Sequence, residues 1–468
     1  MSNHTRMACT LGRLYNVLIL CYVSVCCIRP PFISEWIDME SISGNSPVTV
    51  SHPFNEIPAR VDVQVKVIYN EQEYIFPGLG SIQRDNDVWT EYGGVAYTYN
   101  ETSVMLFVPK GKTTGRVVYT GGSAYTGEFD GSFTSCQARI KVWRLSDWPK
   151  PDFIHNCNLT ISKSEPLKLV SHTLRRLPDV VTVQLKLDDG YVADGQGVTP
   201  VTQDDTGTNH VCGVLFGIST TSITLWAPSK NRDYVICYAD GWGNVERSYE
   251  FAEVVIRAWI LSADDIILRQ SFLYTWGDDV PEGLSGNCFL DPDNHIVFVE
   301  IKDATTTDGK VFYAAGTASL AHAGDPFGGV VYGYNQTDVL LWTPSVSNGY
   351  LVYVDGIWGD GTETLHINTV QISVTILSTN NSVQNTTSID IEEFINDLTI
   401  AKKETNSYER SLKCADDTRP SSKAVGSVGI ALLCTMFGLI FLADCQQLLK
   451  RFCKRTNKTS GISIVDKH

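Results

Sequence analysis

The sequence lacks the motifs on which most enzyme chemistry depends. It contains no G-x-S-x-G nucleophile turn, no H-E-x-x-H zinc motif and no phosphate-binding loop. It also has no Cys-x-x-Cys pair, which argues against redox chemistry and against a cysteine-held metal. An enzyme needs a nucleophile beside its base, or paired carboxylates in a cleft, and neither is indicated. We therefore expect a protein that is not an enzyme and that uses no cofactor and no metal.

Basic residues are scarce through most of the chain. The formal net charge is −15, and lysine and arginine are concentrated in the C-terminal tail, so the middle of the chain is more acidic still. Phosphate backbones are bound by lysine and arginine, and an acidic surface therefore excludes nucleic acid as the expected partner. Asp204-Asp205 and Asp291-Pro-Asp293 supply carboxylates that could bind calcium, but neither has the spacing of a calcium-binding loop.

Two apolar segments lie near the ends of the chain. The segment 1–27 has two arginines before a short apolar run and predicts a signal peptide, with an uncleaved anchor as the alternative. The segment 424–443 is twenty residues without a charge, long enough as a helix to cross the ~30 Å hydrocarbon layer of a membrane. The basic tail 444–468 follows it and predicts a cytoplasmic C-terminus. We expect a single-pass type I plasma-membrane protein with an extracellular N-terminus.

A sequence pattern recurs three times between these segments. Its first half is Gly93–Asn100, Cys212–Ser219 and Gly328–Asn335, and its second half is Ser103–Pro109, Ser222–Pro228 and Asp338–Pro344. Upstream of each copy stands an alternating apolar and polar run, VDVQVKV, VTVQLKL or VFVEIK. Alternation with period two predicts strands with one buried face, and no helical period is found inside the copies. The pattern predicts three tandem antiparallel β-sandwich repeats of jelly-roll type, followed by one transmembrane helix.

The predicted boundaries divide the chain into repeats and connecting segments. They are repeat 1 at 46–145, repeat 2 at 165–261, repeat 3 at 287–377, linkers at 146–164 and 262–286, and a polar stalk at 378–423. We expect each repeat to be its own sandwich, because each has the length and the number of strand signals of a small β domain.

The predicted extracellular part contains five sequons and six cysteines. The sequons, which predict N-glycosylation, are Asn100, Asn158, Asn335, Asn380 and Asn385. The candidate disulfide cysteines are Cys136, Cys157, Cys212, Cys237, Cys288 and Cys414. Six cysteines allow fifteen pairings, and we expect Cys212 with Cys237 because they lie on successive strands of repeat 2.

The motif that most resembles a ligand site is an Asp-Gly turn followed by tryptophan. It occurs with Asp240 and Trp242 in repeat 2, and with Asp355 and Trp358 in repeat 3. A carboxylate that accepts hydrogen bonds from sugar hydroxyls, beside a tryptophan that stacks on the sugar ring, would bind a glycan. The alternative is structural, since Asp-Gly favours tight turns and tryptophan covers apolar cores.

The opening strands of the first repeat resemble those of a known lectin family. His52-Pro-Phe54, with Pro58 and the run VDVQVKV, is similar to the start of H-type lectin domains, and the repeat also resembles tandem domains of invertebrate surface proteins. The resemblance implies a β-sandwich and a place at the cell surface. It does not extend to the second half of the repeat, so no sugar-binding residue is carried over from that family.

Together these features predict a multivalent recognition or adhesion receptor. The expected ligand is an extracellular glycan or protein, because three copies of one domain multiply a binding surface rather than build one pocket. The alternative is a structural or self-associating spacer without a small ligand. An ectoenzyme is the third and least favoured hypothesis.

Overall fold

A computed structural model describes the part of the chain that carries the three predicted repeats. The described residues are 32–42, 46–81, 91–110, 113–161, 166–198, 212–229, 234–237, 242, 248–280, 289–307, 309–319, 326–355 and 358–378. All of them belong to one compact unit, Met1–Val383. They form an all-β structure, as predicted, in which the only helical turns described are three 3-10 segments, Gly122–Ala124, Leu145–Asp147 and Ala263–Asp265. The predicted transmembrane helix 424–443 lies outside the described residues.

The strands up to the end of the first predicted repeat are mostly short. They are β1 (Phe32–Ile33), β2 (Ile37–Glu40), β3 (Val48–Ser51), β4 (Arg60–Tyr69), β5 (Gln72–Pro77), β6 (Tyr92–Gly93), β7 (Ala96–Tyr99), β8 (Ser103–Phe107), β9 (Gly115–Arg116), β10 (Val118–Tyr119), β11 (Tyr125–Thr126), β12 (Ser132–Phe133) and β13 (Ser135–Trp143). The period-two run VDVQVKV lies in β4, and the two strands around the Asn100 turn, β7 and β8, pair as the hairpin that the sequence predicts.

The other two repeats follow the same order of long and short strands. They contain β14 (Phe153–Thr160), β15 (Leu167–Ser171), β16 (Val180–Lys186), β17 (Val192–Asp194), β18 (Leu215–Ile218), β19 (Ser222–Trp226), β20 (Ile236–Cys237), β21 (Ser248–Tyr249), β22 (Phe251–Trp259), β23 (Ile266–Thr275), β24 (His295–Asp303), β25 (Val311–Tyr313), β26 (Phe327–Gly328), β27 (Val331–Tyr334), β28 (Val339–Pro344), β29 (Gly349–Tyr350), β30 (Val352–Val354), β31 (Leu365–Ile367) and β32 (Thr369–Ser378). The segments expected to be linkers contain two full strands, β14 and β23, which pair along β22 and β32.

Three large antiparallel sheets cross the predicted repeat boundaries. Their strand orders are β1-β13-β4-β5-β27-β28-β11, with β2 also on β13; β14-β22-β16-β17-β7-β8-β3; and β15-β19-β18-β25-β24-β32-β23. Each sheet therefore joins strands of two repeats, so repeat 1 shares a sheet with repeat 2, repeat 2 with repeat 3, and repeat 3 with repeat 1. The expectation that each repeat forms a sandwich of its own is therefore wrong, because each large sheet contains strands of two repeats.

The three sheets are joined across the repeats at matching sequence positions. The joining pairs are Val192 with Tyr99, Ile218 with Val311, and Tyr334 with Ile75. Each join pairs the first strand of one repeat's hairpin with the short strand before the hairpin of the next. Because the third join links repeat 3 back to repeat 1, every repeat is paired with both of the others.

A glycine stands close to the neighbouring repeat beside each join. A β-carbon on the glycine would lie 2.7 Å or less from a heavy atom of the next repeat in each case: Gly80 against Asp194, Gly197 against Tyr313, and Gly316 against Pro77. Real β-carbons do not approach other atoms so closely. Glycine is thus needed here for close approach between backbones.

A buried side-chain amide makes hydrogen bonds across the join between repeats 1 and 2. Gln184 is 2% or less exposed, and its Nε2 donates to the carbonyl oxygen of Pro58 at 2.8 Å and to the hydroxyl of Tyr99 at 2.6 Å. Its Oε1 accepts a hydrogen bond from Arg257. A buried amide with all of these partners costs little on burial and fixes the position of the neighbouring repeat.

A partly buried carboxylate belongs to the same join. Asp194 accepts hydrogen bonds from the hydroxyls of Tyr97 at 2.8 Å and Tyr99 at 2.6 Å. Burial raises the pKa of Asp194, and the two tyrosine hydrogen bonds oppose that rise. The carboxylate of repeat 2 is thus held by two side chains of repeat 1.

The join between repeats 3 and 1 repeats this arrangement. Gln64 donates from Nε2 to the carbonyl oxygen of Pro292 at 3.0 Å and to the hydroxyl of Tyr334 at 3.1 Å. Its Oε1 accepts from Nε of Arg139 at 2.8 Å, and Arg139 also pairs with Asp293. Equivalent glutamines in two repeats therefore make equivalent contacts with their neighbours.

Two histidines that share a sequence position have a structural role. The Nε2 atom of His52 contacts the carbonyl oxygen of Asn100 at 3.2 Å, and Nε2 of His172 contacts that of Ser219 at 3.1 Å. Both side chains are buried, and burial lowers the pKa of both. Each histidine ties the edge strand of its repeat to the tip of the hairpin.

Candidate functional site

The two tryptophans of the predicted ligand site are buried. Trp242 is 0% exposed and Trp358 is 2% exposed, so neither presents a ring face to which a sugar could stack. The ring of Trp242 packs against Tyr92 of repeat 1, with centroids 5.8 Å apart. Asp240 lies outside the described residues. The structural alternative therefore accounts for both tryptophans where the structure places them.

The tryptophan turn of repeat 3 is a contact with repeat 2. Trp358 forms a β-bridge with Pro228, and the amide of Gly359 donates to the carbonyl oxygen of Ala227 at 2.9 Å. Gly359 lies so close to Trp226 that a β-carbon would come within 2.8 Å of its ring. Its φ of 75° also favours glycine. Trp358 and Gly359 thus pack directly against repeat 2.

Repeat 1 makes the corresponding contact without a tryptophan turn. Its segment from Gly127 to Phe129 covers Trp342 of repeat 3, whose Nε1 donates to the carbonyl oxygen of Phe129 at 2.7 Å. The rings of Phe129 and Trp342 meet edge to face at 5.2 Å. In both cases a loop of one repeat covers the hairpin tryptophan of its neighbour, Trp226 or Trp342. The sequence does not show this, because the two loops have different residues.

The remaining member of the predicted site, Asp355, lies at a partly exposed cluster of rings. It follows β30, and its Oδ2 is 2.8 Å from Nε2 of His366 on the paired strand β31. The side chains of Asp355 and His366 are 33% and 43% exposed. The rings of Tyr350, Tyr353 and His366 pack together with centroids 5.0–5.5 Å apart, and Tyr353 stacks on each of the other two. We call Tyr350, Tyr353, Asp355 and His366 the Asp355 cluster.

The Asp355 cluster combines the two kinds of contact that sugars make. Its carboxylate accepts hydrogen bonds, and its imidazole can donate or accept one according to tautomer. The aromatic rings offer an apolar surface next to these groups, and Tyr350 remains partly exposed while Tyr353 is buried. The sequence singled out Asp355, but it did not indicate Tyr350 or His366. They come together because β30 pairs with β31 and Tyr350 of β29 packs against His366 of β31.

The described sequons differ in exposure. Asn158 is exposed on β14, Asn100 is partly exposed in its hairpin turn, and Asn335 is 6% exposed. The Oδ1 of Asn335 accepts hydrogen bonds from the amides of Thr337 and Asp338. Asn380 and Asn385 lie outside the described residues. Asn100 and Asn335 therefore share a turn position but differ in how accessible they are to a glycosylating enzyme.

The structure forms the disulfide expected between Cys212 and Cys237, with Cα atoms 5.7 Å apart. Cys136 and Cys157 carry free thiols, the first buried and the second partly exposed. Cys288 and Cys414 lie outside the described residues. Burial raises the pKa of Cys136 to about 12, which keeps that thiol protonated and unreactive at neutral pH.

The described residues contain no group of three or more His, Cys, Asp or Glu side chains placed to hold a metal ion. Nor do they include a helix long and apolar enough to cross a membrane. Comparison of the chain with models of protein families, with curated proteins and with solved structures finds no match.

Proposed function

We propose that the chain is a single-pass type I glycoprotein of the plasma membrane that acts as a recognition or adhesion receptor. In this proposal the N-terminus and the repeats are extracellular, and a glycan is the ligand. The chain is not an enzyme and uses no cofactor. The sequence supports the topology through the apolar segments 1–27 and 424–443 and the basic tail after the second of them.

The three repeats are best understood as three copies of one sandwich closed into a single unit. The matching joins between repeats 1 and 2, 2 and 3, and 3 and 1 support this interpretation. The receptor therefore presents its loops in a constant relative arrangement. Avidity would arise from several receptors in one membrane, since tethered sites gain effective concentration.

The observation that carries the proposal is the Asp355 cluster. Its half-exposed carboxylate and imidazole stand beside stacked tyrosine rings at the end of repeat 3. Polar groups that converge beside an aromatic surface are typical of sites that bind sugars. The buried tryptophans take no part in contact with the ligand.

The second candidate function is a rigid spacer. The shared sheets favour it, because continuous hydrogen bonding across all three joins resists bending of one repeat against the next. A spacer requires no ligand at the Asp355 cluster. Ligand binding thus distinguishes the two functions.

We expect Asp355→Asn to weaken glycan binding by about tenfold or more. Asparagine keeps the shape of the side chain but loses the charge, and a hydrogen bond to a charged group contributes about 1.5–3 kcal/mol. The measurement is binding of the purified full-length chain, in detergent, to a glycan array. The matched control is Asp360→Asn, since Asp360 is exposed in the same loop and its carboxylate bonds only to nearby Thr362 among the described residues.

Equal losses in the two variants would show a general effect of charge and would remove Asp355 from the site. An array to which the unmodified chain does not bind would contradict the receptor proposal and leave the spacer as the better account.

Glycan occupancy tests the extracellular assignment. We expect Asn158 to carry an N-glycan and Asn335 to carry none or little, because the first is exposed and the second is enclosed in the folded turn. The measurement is peptide mass spectrometry after enzymatic deglycosylation in heavy-oxygen water, on chain purified from an animal cell line. Empty sequons throughout the chain would contradict passage through the secretory pathway. Full occupancy at Asn335 would show that its turn is open when the chain is modified.

A further inference from the structure

A cavity of about 240 Å³ lies between repeats 2 and 3. Its walls include Arg176–Asp179 from repeat 2 and side chains of β23, β24 and β32 from repeat 3. Ile218 and Val311, which form the join between these repeats, supply an apolar floor. The volume is below the about 300–1,000 Å³ of sites for drug-sized molecules, so the cavity suits a ligand of one small ring.

The cavity occurs where the other two joins have a buried glutamine. Gln64 and Gln184 each donate from the side-chain amide to a proline carbonyl of the neighbouring repeat, Pro292 and Pro58. The corresponding residue in repeat 3 is Glu300, in the run VFVEIK, and the proline of the neighbouring repeat is Pro178. Both line the cavity.

Glutamate changes the chemistry of this join. An ionised carboxylate has no proton to donate, so Glu300 cannot bond to the carbonyl oxygen of Pro178 as Gln184 bonds to that of Pro58. The side-chain carboxyl of Glu300 accepts no hydrogen bond from any residue in the described part of the chain. A partly buried carboxylate without a donor is costly, and repeats 1 and 2 show that the fold accepts a neutral glutamine at this position.

The charged groups around Glu300 come from several elements. Arg269 of β23 lowers its pKa and Asp179 of repeat 2 raises it, but burial is the largest effect, and the pKa of Glu300 lies at about 7. Arg176 and Arg269 are both paired with Asp179, at 2.9 and 2.8 Å. Lys302, two residues along β24, also lines the cavity, and Tyr313 faces Glu300 across the strand pair with β25.

We propose that this cavity binds one neutral sugar ring. Hydroxyl groups donate to Glu300 and to the Pro178 carbonyl, and they also accept from Lys302, so a polyol complements both kinds of group. A cationic ligand would meet Arg176, Arg269 and Lys302, and an anionic ligand would meet Glu300. Ile218, Val311 and Leu177 match the apolar face of a sugar ring. The site is separate from the Asp355 cluster and does not depend on it.

The direct test compares the full-length chain with Glu300→Gln. Methyl glycosides of glucose, galactose, mannose and N-acetylglucosamine serve as probes, each titrated at pH 8 and followed by ligand-observed NMR. We expect saturable binding of at least one probe and at least a tenfold loss of affinity in Glu300→Gln, whose amide would bond to Pro178 as Gln184 bonds to Pro58. The variant should fold, because two repeats already carry glutamine here, and its melting temperature at pH 6 is expected to match that of the unmodified chain.

The matched control is Asp360→Asn, which removes an exposed carboxylate that does not line the cavity and should leave binding of the probe unchanged. No saturable binding of any of the four glycosides would overturn the proposal, and so would equal affinity in the unmodified chain and Glu300→Gln. If the probe instead loses affinity only in Asp355→Asn, it binds at the Asp355 cluster, and the cavity proposal fails while the proposed function stands.

A pH series supplies the second measurement. A group with a pKa of about 7 is roughly one-tenth ionised at pH 6 and nine-tenths ionised at pH 8. Protonated Glu300 can donate to the Pro178 carbonyl and close the site, so we expect affinity to rise about tenfold from pH 6 to pH 8. In Glu300→Gln the residual affinity should not change over this range. An affinity of the unmodified chain that is flat or falls with pH would contradict a role for Glu300 in binding.

Discussion

Replacing Gly316 by alanine is expected to destabilise the folded unit by about 3 kcal/mol or more. The added methyl group would lie 2.7 Å from the backbone nitrogen of Pro77, in a neighbouring strand of repeat 1. The obstacle is backbone, so it cannot be relieved by turning a side chain. The change forces apart the join of repeat 3 to repeat 1 that runs between Tyr334 and Ile75. Denaturant unfolding of the full-length chain, followed by tryptophan fluorescence, measures the loss.

The control for Gly316→Ala is a glycine outside the joins. Gly190 has a φ of 86° and no atom within 4 Å of the position of a β-carbon. Asparagine tolerates this backbone conformation, so Gly190→Asn should change the unfolding free energy by about 1 kcal/mol or less. Unfolding of Gly316→Ala at the same denaturant concentration as the unmodified chain would show that close approach at Pro77 is not needed to close the unit.

Replacing Trp358 by alanine is expected to cost about 3–5 kcal/mol of stability, as for other large buried aromatic side chains. Trp358 is 2% exposed, belongs to the main hydrophobic core, and bridges to Pro228 of repeat 2. Its loss removes apolar contacts in the core and also weakens the contact between repeats 2 and 3. We expect a lower unfolding midpoint and, if the chain is the surface receptor proposed above, less folded protein at the cell surface. Unfolding curves and surface immunostaining measure the two effects.

This prediction separates a structural tryptophan from a ligand-binding one. Trp358→Phe should recover part of the stability, because a phenylalanine ring fills part of the same space. Leu273→Ala is the surface control, since Leu273 is 68% exposed and should contribute little. If Trp358→Ala folds with unchanged stability but no longer binds glycan, the ring contacts the ligand and the core assignment is wrong.

Local patterns were sufficient to predict much of the strand content. The alternation in VDVQVKV places β4 correctly, and the polar turn at Asn100 predicts the hairpin of β7 and β8. The disulfide between Cys212 and Cys237 followed from their positions on successive strands. Each of these features depends on residues close together in the sequence, where strand period and turn chemistry act directly.

The candidate site could be predicted only in part, for a physical reason. Asp355 was identified because an Asp-Gly turn suggests a polar loop, and the structure leaves it half exposed. The sequence also placed Trp358 in this site, which is wrong for its ring, because repeat 2 buries it. The residues of the turn do not show that another repeat packs on them. His366 was missed because it reaches Asp355 only through the pairing of β30 with β31. Exposure is set by what packs on a residue, and a local motif does not contain that information.

The sequence by itself determined that the described part is all-β, that one pattern recurs three times, and where most strands begin. These properties arise from side-chain period and turn preference within a few residues. Only the tertiary structure decided that the sheets run from one repeat into the next and that the segments after repeats 1 and 2 add edge strands. Strand pairing joins backbone groups that any residue carries, so the partner of Ile75, the distant Tyr334, is chosen by packing of the whole unit.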